Sequence, residues 1–125
     1  MTRWSESELE RIGAATELEL SSRRPDGTLW APTTMWVVRV GADVYVRSAG
    51  GPDRPWYTRA KATGVGRIAA GGVARDVTFD DATEAPHADL DEAYHAKYDH
   101  YGASIVGSVV GAGAASVTIR LSPTT

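Results

Sequence analysis

The chain of 125 residues contains no cysteine, and this absence removes several kinds of chemistry at once. Without thiols there is no disulfide, no thiolate nucleophile and no cysteine-bound metal. No apolar run reaches the length of a membrane-spanning helix, and the N-terminus lacks the apolar core of a secretory signal. By elimination, we expect a soluble protein with cytoplasmic localisation.

A surplus of positive charge is also lacking. Lys and Arg number 13 against 16 Asp and Glu, which gives a formal net charge of −3, and the two signs are interspersed. We therefore expect no nucleic acid and no membrane among the partners of this chain. The hydrophobic fraction of 42% is ordinary and supports a packed core. The length predicts a single domain over residues 1–125.

The central part of the chain predicts a β-hairpin. Thr33–Val40 and Val44–Ser48 are rich in β-branched and aromatic residues, which favour strands. Gly41-Ala42 suits a two-residue turn with glycine at the position where φ is positive. The turn sets a register in which Trp36 faces Arg47. Side chains alternate across a sheet, so one face carries Trp36, Val38, Tyr45 and Arg47, and the other carries Met35, Val37, Val44 and Val46.

The face that mixes aromatic rings with a cation leads into a candidate anion-binding corner. After Arg47 and Ser48, the chain turns at Gly50-Gly51 and returns with Arg54 just before a predicted helix. Two guanidinium groups, a hydroxyl and the N–H groups of a helix N-terminus would converge there on an anion. A second interpretation stays open, because Arg47 could instead stack on Trp36 at the edge of a core.

The other elements follow from capping, turn and periodicity signals. Ser5 and Glu8 predict a capping box, and Gly71-Gly72 predicts a second hairpin turn that sets Arg67 opposite Asp76 as a cross-strand ion pair. Their predicted bounds are a helix from Ser5 to about Gly13–Thr16, strands over Glu17–Ser22, Val65–Ala70, Val73–Phe79 and Ser116–Leu121, and helices over Pro55–Thr63 and His87–Tyr101. We expect the tail from Pro123 to be frayed. About six strands, two or three helices and two tight hairpins predict a mainly β (α+β) fold, a small antiparallel β-barrel with helices at its ends.

The helix over His87–Tyr101 carries a row of possible metal ligands. Asp91, His95 and Asp99 recur at intervals of four residues on one face. Imidazole and carboxylates can bind a metal, but two carboxylates around a histidine are also common on a solvated helix face. We favour the solvated face and predict no metal site.

Scattered motifs along most of the chain resemble a known group of proteins. They are Arg23-Arg24-Pro25-Asp26-Gly27, Trp36-Val37-Val38, Tyr45-Val46-Arg47-Ser48, Gly51, Trp56-Tyr57, Gly66-Arg67-Ile68, Asp76-Val77 and Ala93-Tyr94-His95-Ala96-Lys97-Tyr98. Their order resembles a bacterial domain-of-unknown-function family related to the FMN-binding split-barrel superfamily. That superfamily includes pyridoxamine-phosphate-oxidase-like and deazaflavin-dependent nitroreductase-like enzymes.

The resemblance implies a split β-barrel that forms a homodimer, with a cofactor in a groove at the subunit interface. The implied cofactor is FMN or a deazaflavin. Its phosphate would be held by the strand–loop–helix region 47–59, and its ring would lie against aromatic side chains. The residues predicted to bind the cofactor are Trp36, Tyr45, Arg47, Ser48, Arg54, Trp56 and Arg59.

Three functional hypotheses therefore stay open at the level of sequence. The first is a flavin- or deazaflavin-dependent oxidoreductase that acts on a small molecule. The second is a cofactor-free protein that binds a small molecule in the same groove. The third is a non-redox enzyme that uses a titratable side chain there as acid or base. The candidates for that acid or base are His87, His95, His100 and Tyr57.

Overall fold

The computed structural model describes residues 3–124, and within them seven strands form one antiparallel sheet. The strands are β1 (Leu18–Ser22), β2 (Thr33–Met35), β3 (Val38–Val40), β4 (Asp43–Arg47), β5 (Val65–Ala70), β6 (Val73–Asp81) and β7 (Thr118–Pro123). The helices are α1 (Glu6–Ala14), α2 (Pro55–Thr63), α3 (His87–Tyr98), α4 (Ala103–Val106) and α5 (Ala112–Ala115), with 3-10 turns at Asp99–Tyr101 and Gly107–Val109. The predicted antiparallel α+β barrel is confirmed, with seven strands in place of about six.

The order of the strands forces the sheet to curl. The sheet runs β2-β1-β5-β6-β7-β4-β3, so β2 and β3 are its two edges. These edge strands are separated in sequence only by Trp36 and Val37. Met35 and Val38 are three residues apart, a distance of at most about 11 Å, so the ends of the two edge strands must lie close together. We call this place, where the open barrel nearly closes, the seam.

The prediction of one continuous strand over Thr33–Val40 is wrong. Thr33–Met35 pairs with β1, and the chain then crosses the seam before Val38–Val40 pairs with β4. Trp36 lies between these strands and is not paired with Arg47, which pairs with Thr118. A local propensity for extended backbone cannot reveal that a strand changes partners halfway, because the new partner is distant in sequence.

Both predicted hairpin turns are confirmed, and the registers that they set are correct within the paired residues. Val40 lies opposite Asp43 around the Gly41 turn, where φ is 61°. In the second hairpin Arg67 lies opposite Asp76, and the two side chains form the expected ion pair at 2.9 Å.

Two hydrophobic cores form on the two sides of the sheet. The first lies inside the curled sheet and includes Val37, Val44 and Val46, the face of the central hairpin that was predicted to be core. The second lies between the sheet and α3, and its members are Val38, Tyr45, Ala82, Leu90, Tyr94, Tyr98, Val106 and Val109. Both faces of the central hairpin are therefore covered, and the predicted mixed face packs against a helix.

The helix boundaries agree with the signals in the sequence, except at α3. Ser5 and Glu8 form the predicted capping box of α1. Helix α2 begins at Pro55 and ends at Gly64, whose φ is 70°. Helix α3 ends at Tyr98, and its predicted last turn is a 3-10 turn instead.

The C-terminal tail is held by the sheet, so the predicted fraying is wrong as far as residue 124. Pro123 lies opposite Val77, and the Thr124 N–H donates to the Asp76 carbonyl at 3.0 Å. Across residues 3–124, no helix has the length and apolar composition needed to cross a membrane.

Candidate functional site

A cavity of about 380 Å³ lies at the seam and is the candidate functional site. It takes residues from the β2 edge, from the loop after β4, from the start of α2 and from the C-terminal short helices. Its lining is Glu17, Thr34, Met35, Trp36, Arg47, Ala49, Gly50, Arg54, Trp56, Ile105, Ser108 and Val109. Four of the seven predicted cofactor-binding residues, Trp36, Arg47, Arg54 and Trp56, are thus brought to one place.

The loop after β4 shapes the cationic side of this cavity. Gly50 has no Cβ, and a Cβ built there would lie 1.7 Å from Nε of Arg54. The Arg54 side chain therefore folds back across the Gly50 backbone. Gly51 then turns the chain with a φ of 88°, a conformation that only glycine adopts without strain. The glycine pair is needed both for the turn and for the position of Arg54.

The start of α2 adds backbone donors beside Arg54. Arg54 is the N-cap residue, and no side chain caps the helix. Pro55 occupies the first turn, and the first intrahelical acceptor, the Arg54 carbonyl, receives the Thr58 N–H at 3.0 Å. The N–H groups at the start of a helix lack partners within it and favour an anion.

Arg47 touches the cavity, but its guanidinium is bonded inside the protein. Its side chain is fully buried, and Nη1 donates to Asp91 Oδ1 at 2.5 Å and to the Val109 carbonyl at 2.8 Å. Nε donates to Thr118 Oγ1 at 2.9 Å. Nη2 lies 3.1 Å from His87 Nδ1. An arginine can only donate, so His87 accepts at Nδ1 and carries its proton on Nε2, which faces the Thr83 carbonyl at 3.2 Å.

These bonds give Arg47 partners that the sequence did not suggest. The expected stacking of Arg47 on Trp36 is wrong, since the nearest aromatic face is that of Tyr94, 5.6 Å from the guanidinium carbon. Asp91 already neutralises the Arg47 charge. The geometry therefore favours a structural role for Arg47, and its role in holding a cofactor phosphate stays a prediction.

The other three predicted cofactor-binding residues lie outside the lining of the cavity. Tyr45 is 2% exposed and packs beneath α3, and burial raises the pKa of its hydroxyl. Ser48 is also buried and donates to the Gly51 carbonyl at 2.6 Å, so it shapes the glycine loop. The guanidinium of Arg59 lies 4.2 Å from the centre of the Trp30 ring.

Trp36 is held rigidly at the seam by tyrosines. Its ring stacks on Tyr98 with a centroid distance of 4.0 Å and an interplanar angle of 6°. The Tyr98 hydroxyl accepts the Val37 N–H at 3.1 Å, and its single proton has the Thr16 carbonyl at 2.7 Å and the Val37 carbonyl at 3.0 Å as alternative acceptors. Burial raises the pKa of Tyr98 to about 12, so it stays a neutral donor at physiological pH. Trp36 therefore offers a fixed aromatic surface to the cavity.

The row of Asp91, His95 and Asp99 does not act as one unit. Asp91 binds Arg47 and also accepts the Gly111 N–H at 3.2 Å, so the prediction of a wholly solvated row is wrong for this residue. His95 and Asp99 form an exposed pair at 2.7 Å. Within residues 3–124, no three His, Asp or Glu side chains are grouped so that they could hold a metal ion.

The candidates for an acid or base of a non-redox enzyme are dispersed. None of His87, His95, His100 and Tyr57 lines the cavity at the seam. Tyr57 is buried, with its hydroxyl 3.4 Å from the Ser116 carbonyl. The titratable carboxylate that does line the cavity is Glu17.

The sequence analysis did not predict the lining residues that distant segments of the chain contribute to this cavity. Glu17 carries no local signal, because it precedes a strand whose partner cannot be read from the sequence. Ile105, Ser108 and Val109 lie in a small apolar segment that resembles ordinary core or coil. Ile105 is exposed whereas Val106 and Val109 are buried, and the tertiary structure alone decides which of these apolar side chains face solvent.

Comparisons with known proteins agree with this architecture. A family model described as an uncharacterized protein conserved in bacteria (DUF2255) matches residues 8–121. No curated protein matches the chain.

Similar solved structures share the fold at low sequence identity. One named F420 Reductase has a TM-score of 0.62 and 19% identity, over 98% of this chain and 97% of that one. A Listeria innocua protein named for pyridoxamine 5'-phosphate oxidase has a TM-score of 0.62 and 12% identity, over 96% and 93%. A hypothetical protein from Mycobacterium tuberculosis has a TM-score of 0.59 and 15% identity, over 98% and 82%.

Proposed function

The chain belongs to the bacterial family DUF2255, and we propose that it is an oxidoreductase that binds a flavin or deazaflavin in the cavity at the seam. The observation that carries the proposal is the gathering of Trp36, Arg54 and Trp56 around one cavity of about 380 Å³. Structures with the same fold include one named for F420 and one named for pyridoxamine 5'-phosphate oxidase. A shared fold alone does not give function, so the proposal depends on the residues of the cavity.

The cavity fits the two chemical parts of such a cofactor. Its volume lies in the range of small-molecule sites, roughly 300–1,000 Å³. Trp36, Met35 and Trp56 give an apolar lining for a flat ring system. Arg54, folded over Gly50 beside the start of α2, offers a guanidinium and backbone N–H groups for a phosphate.

The residues of this chain would bind and orient, and the cofactor would supply hydride transfer. Arg54 would hold the phosphate at the loop after β4. Trp36 and Trp56 would fix the ring and keep water from it. The Arg47 network holds Val109 against β4 and so maintains one wall of the cavity.

The second candidate is a cofactor-free protein that binds an apolar anion in the same cavity. The combination of aromatic walls with Arg54 supports it as well. Absorbance spectra of the purified protein distinguish the two, because a bound flavin or deazaflavin absorbs visible or near-visible light and the protein alone does not.

We predict that Arg54→Ala weakens binding of FMN or the deazaflavin about 10- to 100-fold while the protein stays folded. Hydrogen bonds to a charged group contribute about 1.5–3 kcal/mol, and about 1.4 kcal/mol corresponds to a tenfold change. Gly50→Ala should have a similar effect, because the new Cβ would displace the Arg54 side chain without removing its charge. Fluorescence titration of both cofactors against each variant measures these effects.

Arg59→Ala is the matched control for this titration. It removes the same charge from α2 but takes it from a site on Trp30, outside the cavity lining. We expect it to change the affinity by less than about threefold. Failure of both cofactors to bind the unaltered protein would end the redox proposal and leave the cofactor-free one.

We also propose that the chain forms a homodimer, as its resemblance to the split-barrel superfamily implies. Soluble homo-oligomers most often close with two-fold symmetry. We expect light scattering to give twice the 13.3 kDa mass of the chain over a wide concentration range. A mass of one chain at every concentration would disprove the dimer.

A further inference from the structure

The mouth of the cavity carries an exposed apolar patch. Within residues 3–124, the large hydrophobic side chains that are exposed are Val65, Tyr101 and Ile105. Ile105 is 51% exposed and lines the cavity, and Tyr101 is 45% exposed with its ring centre 5.5 Å from that of Trp36. We call Trp36, Tyr101 and Ile105 the mouth patch. Exposed apolar patches beside a cavity mark binding surfaces more often than chance.

A carboxylate lies beside this patch. Leu18 pairs with Met35 at the end of the β1–β2 ladder, and the residues just beyond this pair, Glu17 and Trp36, both line the cavity. Glu17 is exposed and lines the cavity. Within residues 3–124 it forms no salt bridge, whereas the cation of Arg47 is already paired with Asp91. The charge of Glu17 therefore acts on whatever enters the mouth.

The two sides of the cavity have opposite charge. Arg54 comes from the loop after β4, and Glu17 comes from the β1–β2 edge. Apolar side chains, among them Met35 and Trp56, line the cavity between them. An anion is attracted to the Arg54 side and repelled from the Glu17 side. A ligand that meets the mouth patch is thus selected by both its flat apolar surface and its charge.

We infer that the mouth patch and Glu17 form a substrate site for an aromatic compound that is cationic or uncharged, and that Glu17 rejects aromatic carboxylates. The inference rests on the proposed function in one respect, namely that the phosphate-bearing cofactor takes the Arg54 side. The aromatic ring of the substrate lies against Tyr101 and Ile105, because Trp36 already holds the cofactor ring. Its amidinium, ammonium or amide N–H groups donate to the Glu17 carboxylate.

The test uses three probes that share one ring and differ in charge: benzamidine, benzamide and benzoate. We expect benzamidine to bind the full chain at least tenfold more tightly than benzoate, with benzamide between them. Titrations followed by two-dimensional NMR give the three dissociation constants and also report which backbone amides shift. The largest shifts should fall around residues 17, 36 and 105.

Glu17→Gln should bring benzamidine and benzoate to within about threefold of each other. Glu19→Gln is the matched control, because Glu19 lies two residues further along the chain, in β1, and lines a different cavity, so it should leave the ratio unchanged. A wild-type preference for benzoate, equal binding of all three probes, or a ratio insensitive to Glu17→Gln would overturn the inference.

One further measurement distinguishes a substrate site from a cofactor site. Glu17→Gln should leave the affinity for FMN and the deazaflavin within about threefold, so a failure of the cofactor proposal is read from the Arg54 variants and not from these probes.

Discussion

Arg47→Ala is expected to destabilise the protein by about 3 kcal/mol, measured as the free energy of unfolding in urea. The buried guanidinium joins β4 to α3 through Asp91, to β7 through Thr118 and to the C-terminal segment through Val109. Its removal leaves a buried carbonyl and a carboxylate without their donor. Breaking a buried ion pair from one side costs about 3–5 kcal/mol, and the partial exposure of Asp91 places this case at the lower end.

Two further variants identify the cause of this loss. Arg47→Lys should recover only part of the stability, because one ammonium cannot reproduce a planar fork that bonds in several directions. Arg67→Ala removes an arginine from an exposed pair with Asp76 and should cost at most about 1 kcal/mol. If Arg47→Ala instead keeps its stability within about 0.5 kcal/mol and loses cofactor affinity, Arg47 is a ligand of the cofactor and not a structural clamp.

Gly66→Ala is expected to destabilise the protein by about 3 kcal/mol or to prevent folding. Gly66 lies in β5 opposite Val77 and faces the neighbouring strand β1. A Cβ at this position would lie 2.1 Å from the carbonyl oxygen of Ser21 and 2.6 Å from Cζ of Phe79. Such overpacking costs about 1–3 kcal/mol where side chains can adjust, and here the nearest atom belongs to the backbone of a paired strand.

A second variant separates the steric cost of the clash with the Ser21 backbone from that of the contact with the Phe79 ring. Trimming the ring in a Gly66→Ala, Phe79→Leu double variant removes one contact but not the clash with Ser21, so we expect no recovery of stability. Gly107→Ala is the matched control, since no heavy atom lies within 4 Å of its added Cβ and φ is −55°. It should be neutral or stabilise by up to about 1 kcal/mol. Equal losses of stability in Gly66→Ala and Gly107→Ala would show that the cost at Gly66 is not steric.

Local signals in the sequence predicted the elements that depend on short-range chemistry. The Gly41 and Gly71 turns were correct because a two-residue hairpin needs positive φ and then fixes the register of its strands. The limits of α2 were correct because Pro55 and Gly64 mark a helix start and stop within the sequence itself. Arg47, Arg54 and Trp56 reach one cavity, but the guanidinium of Arg47 is bonded inside the protein and Ser48 lies outside the lining, so the convergence of the corner on an anion stays a prediction.

The predictions from sequence were wrong for side chains whose partners are distant along the chain. Arg47 was predicted to meet Trp36 or an anion, and its observed partners are 40 to 71 residues away. No local pattern distinguishes an arginine that will be buried by a helix from one that will face solvent. Arg59 was predicted at the site for the same reason, and its stacking on Trp30 depends on how α2 docks against the β1–β2 connection.

By itself, then, the sequence determined the hairpins, the caps, the alternation of side chains along β4 and the glycine loop that follows it. Each of these is fixed by backbone sterics or by side-chain period over a few residues. Only the tertiary structure decided that the chain crosses from one edge of the sheet to the other at Trp36. This crossing brings the two edges close together and forms the cavity at the seam. The tertiary structure also brought Glu17, Trp36 and Ile105 to one cavity, because strand pairing and helix docking bring together residues that are distant along the chain.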